Sequence, residues 1–199
     1  MSDYKIILQK GIPERTHISG SRKSRLSATK SLIDISRIFK SKPERNTKPY
    51  GFWYSLKWYW IEELMRGYYY DEIDYTIDPN RKYYVDSTTL VYDVGIDKNT
   101  FVNLDDKKGL DKILQLNTPS EMSAFFKEYG FDLGEKYVDE YIDWKKVYMD
   151  YGGIELAAEP LWDIRSKDLN YGVEWFTRAW DISSGCVWNN ELVKLKWIA

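Results

Sequence analysis

The stretch Lys48-Pro-Tyr-Gly-Phe-Trp-Tyr-Ser55-Leu-Lys-Trp-Tyr-Trp60 decides the reading of the fold. Pro49 disfavours helical conformation in the residue before it, so the chain enters extended. Phe52, Trp53 and Tyr54, bounded by Gly51 and Ser55, make a short apolar run of the kind a buried strand shows. Beyond Ser55, Trp58, Ile61, Glu62 and Met65 recur at helical spacing up to Gly67, a residue type that commonly closes helices. The segment therefore reads as strand, tight turn and helix.

Upstream, Tyr4-Lys-Ile-Ile-Leu8 predicts a short strand, stopped by Gly11 and Pro13. From His17 to Lys30 the expectation is a basic, Ser-rich loop carrying Arg22, Lys23, Arg25 and Lys30, followed by a helical pattern at Leu32, Ile35, Ile38 and Phe39. Downstream, Tyr68 to Tyr84 predicts a loop or small hairpin. Its acidic residues Asp71, Glu72, Asp74 and Asp78 lack the spacing of a calcium loop and read as a solvated excursion. Leu90 to Val94 and Phe101 to Asn103 predict strands. Thr118-Pro-Ser-Glu121 carries a helix start: a Thr cap, Pro at the first helical position, and Glu placed to reach back to the cap amide. Gly130 should end that helix. A second helical pattern over Val138, Tyr141, Ile142, Lys145 and Met149 stops at Gly152-Gly153, and Ile154 to Ala157 resumes as a strand. Trp175 to Trp180, a turn at Ser183-Ser-Gly185, and Leu192 to Ile198 complete a β-rich end. Strands interspersed with helices, without regular alternation, predict an α+β class: a single domain over residues 1–199 with a mixed, largely antiparallel split sheet and several flanking helices.

Composition narrows the function. Hydrophobic residues at 43% and charged residues at 30% are a globular balance. A net charge of -2 argues against general duplex binding, which needs an excess of Lys and Arg on the binding face. No signal region and no span of bilayer length is evident, so no membrane association is expected and the expected location is the cytoplasm, or the host cytoplasm for a viral protein. The lone Cys186 and the single His17 leave few soft ligands, so no metal site is expected. Cys186, between Gly185 and Val187, reads as a small buried hydrophobe rather than a nucleophile. Nucleophile-elbow, P-loop, dinucleotide-fold and zinc-protease patterns are absent.

What remains is a dispersed constellation: His17 with Ser19, the aromatic strand closing at Tyr54 and Ser55, and Glu155 on a late strand between Ile154 and Leu156. Strand alternation points the Glu155 carboxylate away from the face that its apolar neighbours share, toward either solvent or a cleft.

His-x-Ser near the start, an aromatic strand ending in Ser and a late strand with a single Glu resemble, in that order, the ADP-ribosyltransferase superfamily of NAD-using enzymes. The resemblance implies NAD as the substrate and Glu155 as the catalytic carboxylate beside the ribose, where cleavage of the nicotinamide bond develops oxocarbenium character. It implies that His17, with Ser19, bonds the adenosine ribose, that Tyr54 or Tyr68 stacks on nicotinamide, and that Ser55 supports the Glu. The acceptor would be a protein or nucleic acid. Gly153 stands where arginine-modifying members carry Gln or Glu, which disfavours arginine as acceptor. The phrases Lys48 to Ser55, Gly152-Gly-Ile-Glu155 and Trp180-Asp-Ile-Ser-Ser-Gly-Cys-Val-Trp-Asn189 are similar to uncharacterised phage and large-DNA-virus proteins. The alternative expectation is a non-catalytic binding or interaction module of viral type, stacking exposed Trp and Tyr on nucleobases or sugars or engaging a protein partner.

Overall fold

A computed structural model of the chain describes residues 4–19, 49–62, 78–132, 140–157, 180 and 182–199. Its strands in chain order are β1 (Tyr4–Leu8), β2 (Arg15–Ser19), β3 (Phe52–Leu56), β4 (Lys82–Asp86), β5 (Leu90–Gly95), β6 (Phe101–Val102), β7 (Gly109–Leu116), β8 (Gly130–Asp132), β9 (Glu140–Ile142), β10 (Tyr151–Leu156), β11 (Ser184–Val187) and β12 (Lys194–Trp197). Helix α1 is Pro119–Tyr129 and helix α2 is Trp144–Asp150. The fold is α+β and largely sheet, as expected, with mixed pairing in which β6–β7 and β7–β10 are parallel. The described residues fall into two compact units: one of residues 4–19, 53–62, 78–96 and 193–199, the other of residues 49–52, 97–132, 140–157, 180 and 182–192.

In the first unit β12, β5, β2 and β3 hydrogen-bond in that order, all antiparallel, and β1 pairs with β4 as a separate antiparallel ribbon. The strand-turn-helix reading of the aromatic segment holds over its described part. β3 is followed by a turn in which Lys57 takes a positive φ of 49°, and residues 59–62 are helical. Tyr54, Trp58, Tyr59 and Ile61 are buried there. Two departures occur. His17 was expected in a loop and sits instead within β2, opposite Tyr92 of β5. Residues 82–86 form β4, which starts within the loop or small hairpin expected over Tyr68 to Tyr84, runs past it and pairs with β1. Their period-two pattern, with Tyr83 and Val85 buried and Lys82 and Tyr84 exposed, is that of a half-buried antiparallel strand.

In the second unit β11, β10, β7 and β6 hydrogen-bond in order, β8 pairs with β9, and both helices belong here. The cap at Thr118 forms as read. The Glu121 amide donates to Thr118 Oγ1 at 3.2 Å, and Glu121 Oε2 accepts from the Thr118 amide at 2.9 Å and the Asn117 amide at 2.7 Å. The expected helix over 138–149 is shorter: residues 140–142 are β9 and the helix runs only from Trp144 to Asp150. Gly152 and Gly153 are not its stop. They lie inside β10, where a Cβ on Gly152 would collide with the Leu110 carbonyl and one on Gly153 would meet the Cys186 carbonyl at 3.0 Å. They are glycine because neighbouring strands approach too closely for a side chain, and the β7–β10 register shifts between Tyr151 and Gly153. The strand β7 was not read at all. The expected turn at 183–185 is a bend followed by β11. The basic cluster at 22–30, the helical pattern at 32–39, Met65, the acidic residues 71–74, Val138 and the strand expected from Trp175 lie outside the described residues.

The capping box closes both ends of one turn, so Thr118→Ala should lower stability by about 1 kcal/mol. In a chain of this size that is a fall of roughly 2–4 °C in Tm by calorimetry.

Candidate functional site

β2 and β3 hold His17, Tyr54 and Ser55 together in the first unit. The register Thr16↔Ser55 places two hydroxyls across from each other, 2.9 Å apart, and Thr16 Oγ1 also donates to the Lys57 carbonyl at 2.9 Å. Both residues are fully buried, so this pair locks the strand to the following turn. Ser55 is thus neither a helix cap nor a surface hydroxyl. Tyr54 is 0% exposed, which leaves no ring face for a nicotinamide to stack on in this structure. Tyr68 lies outside the described residues, and Ser19 is described only in its backbone, opposite Leu90.

His17 is the half-buried member of the group. Its Nδ1 lies 2.7 Å from the Trp53 carbonyl oxygen, which can only accept, so Nδ1 carries the proton. Desolvation lowers the imidazole pKa and outweighs the opposing pull of that hydrogen bond. The ring is therefore neutral near pH 7, with Nε2 as its acceptor. Trp60 and Tyr92 flank it, with centroids at 6.5 and 6.1 Å. Neither was expected beside His17: β5 was expected as a strand, but only its register with β2 sets Tyr92 opposite His17.

Glu155 stands in β10 of the second unit and is 3% exposed. Every residue of β10 is buried, so alternation does not carry the carboxylate to solvent as a bland surface residue. Gln115 of β7 is its register partner, and Gln115 Nε2 donates to Glu155 Oε1 at 2.7 Å. On the other side the partner is Gly185 of β11, which presents no side chain across from the acid. A carboxylate taken out of water is costly unless hydrogen bonds replace its hydration, and the Gln115 amide supplies one such bond. Gln115 escaped the sequence reading because β7 did.

Other chemistry finds little support. Cys186 is fully buried opposite Ile154, and burial pushes its thiol pKa well up, which suppresses the thiolate a nucleophile needs. Among the described residues no group of three or more His, Cys, Asp or Glu is arranged to hold a metal ion, and no helix is long and apolar enough to cross a membrane. Trp58 and Trp180 are buried and offer no stacking surface. No protein-family model, no curated protein and no solved structure matches this chain.

His17 yields a pH prediction. Its folded pKa lies below the unfolded value of 6.5, so the unfolded state binds the proton more readily, and the stability present above pH 6.5 is lost as pH falls through the folded value. His17 is the only histidine. Urea unfolding between pH 7.5 and 5.5 should therefore show stability falling by at most about 1.4 kcal/mol per pH unit. His17→Asn, which keeps a donor for the Trp53 carbonyl, should flatten that slope.

Proposed function

We propose that this protein is an NAD-dependent mono-ADP-ribosyltransferase whose catalytic carboxylate is Glu155. The observation that carries the reading is the acid itself: a carboxylate held inside an all-buried strand, with one oxygen fixed by the Gln115 amide. A glutamine at this position would accept the same hydrogen bond without the cost of burying charge. The charge earns its place if a cation develops beside it, and cleavage of the nicotinamide–ribose bond is such a reaction. The bonding pair leaves with nicotinamide, the ribose carbon becomes cationic, and the acceptor nucleophile closes the new bond as it gives up its proton.

Two further features agree with this reading. His17 lies on a strand, as the resemblance implies, and its Nδ1–H donates to the Trp53 carbonyl. Tyr54 and Ser55 serve as frame for that strand rather than as ligand contacts. Gly153 carries no side chain, and a Cβ there would meet the Cys186 carbonyl at 3.0 Å, so the extra acid or amide of arginine-modifying enzymes has no counterpart at this position. The acceptor is accordingly a group other than arginine, on a protein or nucleic acid.

Incubation with labelled NAD and host lysate should release nicotinamide and transfer label. Glu155→Gln should cut the rate by about 10²–10³, the range set by loss of one electrostatic stabiliser, while leaving the urea midpoint no lower than that of the parent. Absence of NAD consumption, or a Glu155→Gln variant as active as the parent, overturns the proposal.

A further inference from the structure

β1 and β4 form a two-stranded ribbon within the first unit, and among the described residues each is the other's only partner strand. The inner face of the ribbon carries Ile7, Tyr83 and Val85, all buried, and Gln9 is buried just beyond them. The outer face carries Tyr4, Ile6 and Tyr84, which are 47%, 59% and 43% exposed, and Ile6 is directly opposite Tyr84. Backbone groups alternate in the same way. The Gln9 amide donates to the Arg81 carbonyl at 3.0 Å, one position beyond the Leu8↔Lys82 pair, so Arg81, Tyr83 and Val85 turn their backbone groups toward β1. Lys82, Tyr84 and Asp86 turn theirs toward the other edge of β4.

A strand edge is a template for pairing with another chain, and proteins blunt such edges with lysines or by keeping them short. β12 and β6 are blunted in these two ways: β12 carries exposed Lys194 and Lys196, and β6 has two residues. β4 is five residues long and carries a different pattern, Lys82-Tyr-Tyr-Val-Asp86. Turned on itself antiparallel about Tyr84, this pattern sets Lys82 opposite Asp86 at both ends, Tyr83 opposite Val85, and Tyr84 opposite its own copy. Opposite charges directly across a ladder are favourable and like charges are not. Parallel pairing in register would instead oppose Lys82 to Lys82 and Asp86 to Asp86. β1 has no such complementarity: turned about Ile6, it places its one charged residue, Lys5, opposite Ile7.

We infer that a second copy of this chain adds to the edge of β4, antiparallel, about a two-fold axis at Tyr84. The contact is isologous, so the same five residues serve on both sides and the pairing closes at two copies. It joins two ribbons into four strands in the order β1, β4, β4, β1, and Ile6 and Tyr84 of each copy then make one row across the outer face. Charge selects the second copy as occupant: a partner of other sequence would have to present an acid and a base four residues apart in the reverse sense. Neither Glu155 nor NAD takes part, so the interface stands apart from the transferase reading.

Sedimentation equilibrium of the full chain should show a monomer–dimer equilibrium at concentrations up to about 100 µM, which populates even a weak specific dimer. Lys82→Asp and Asp86→Lys each replace two attractions by two repulsions, and each should weaken the dimer by about 10-fold or more. Mixed in equal amounts, the two variants should form a heterodimer, because their reversed charges then meet across the ladder. The double variant carrying both changes should regain the parent's dimer for the same reason. Tyr84→Lys, at an exposed position, should abolish the dimer by setting two cations face to face on the axis while leaving the circular dichroism spectrum and the unfolding midpoint of the dilute monomer in place. A chain that stays monomeric over the whole range overturns the inference. So does a dimer that Tyr84→Lys and the single charge reversals leave unchanged, or folded single variants whose lost dimer neither mixing nor the double change restores.

Discussion

β10 has no solvent side. From Tyr151 to Leu156 every residue is buried, so every backbone polar group and every side chain on it has to be satisfied by protein. The parallel strand β7 lies on one edge and the antiparallel strand β11 on the other. At the bulge the Gly152 carbonyl accepts from both the Trp188 and Asn189 amides, the Asn189 side chain returns a bond to the Leu110 carbonyl at 2.7 Å, and the Trp188 indole donates to the Tyr151 carbonyl at 2.5 Å. This close fit is possible because residues 152 and 153 lack side chains. The same enclosure gives Glu155 its character: on a strand with one wet face it would be an ordinary surface acid, and here it is a charge whose hydration protein groups have to replace.

The first unit is built on the opposite arrangement. Its strands pair antiparallel throughout, and its partly exposed residues include the rings of His17, Trp60 and Tyr92. His17 stands at the boundary between the two kinds of environment: held by the Trp53 carbonyl on its inner nitrogen, it is dry enough to stay neutral, and it also packs beside Tyr92.

The capping box at Thr118, the β3 strand and its following turn were legible because their signals are local: a cap, a glycine, a run of aromatics. β7 was not legible. Ile113 and Leu114 are neighbours in sequence and both are buried, which is what a parallel strand covered on both faces requires and what alternation cannot reveal. Gly152-Gly153 was misread because glycine signals both a helix end and a close backbone approach, and only the neighbouring Leu110 carbonyl decides between them. Glu155 was legible as a candidate but its burial was not, since burial belongs to β7 and β11 rather than to β10. The Tyr92 ring beside His17 was invisible for a related reason. The two residues are far apart in sequence, and register alone makes them neighbours.

A buried acid needs water excluded so that a developing cation feels the charge at low dielectric, and β10, with every residue buried, excludes it. Catalysis by Glu155 would leave the choice of acceptor to another surface, because a carboxylate that stabilises the ribose cation is indifferent to which nucleophile attacks it. A Cβ at Gly153 would meet the Cys186 carbonyl at 3.0 Å, and glycine there leaves β10 without a side chain that could select an arginine.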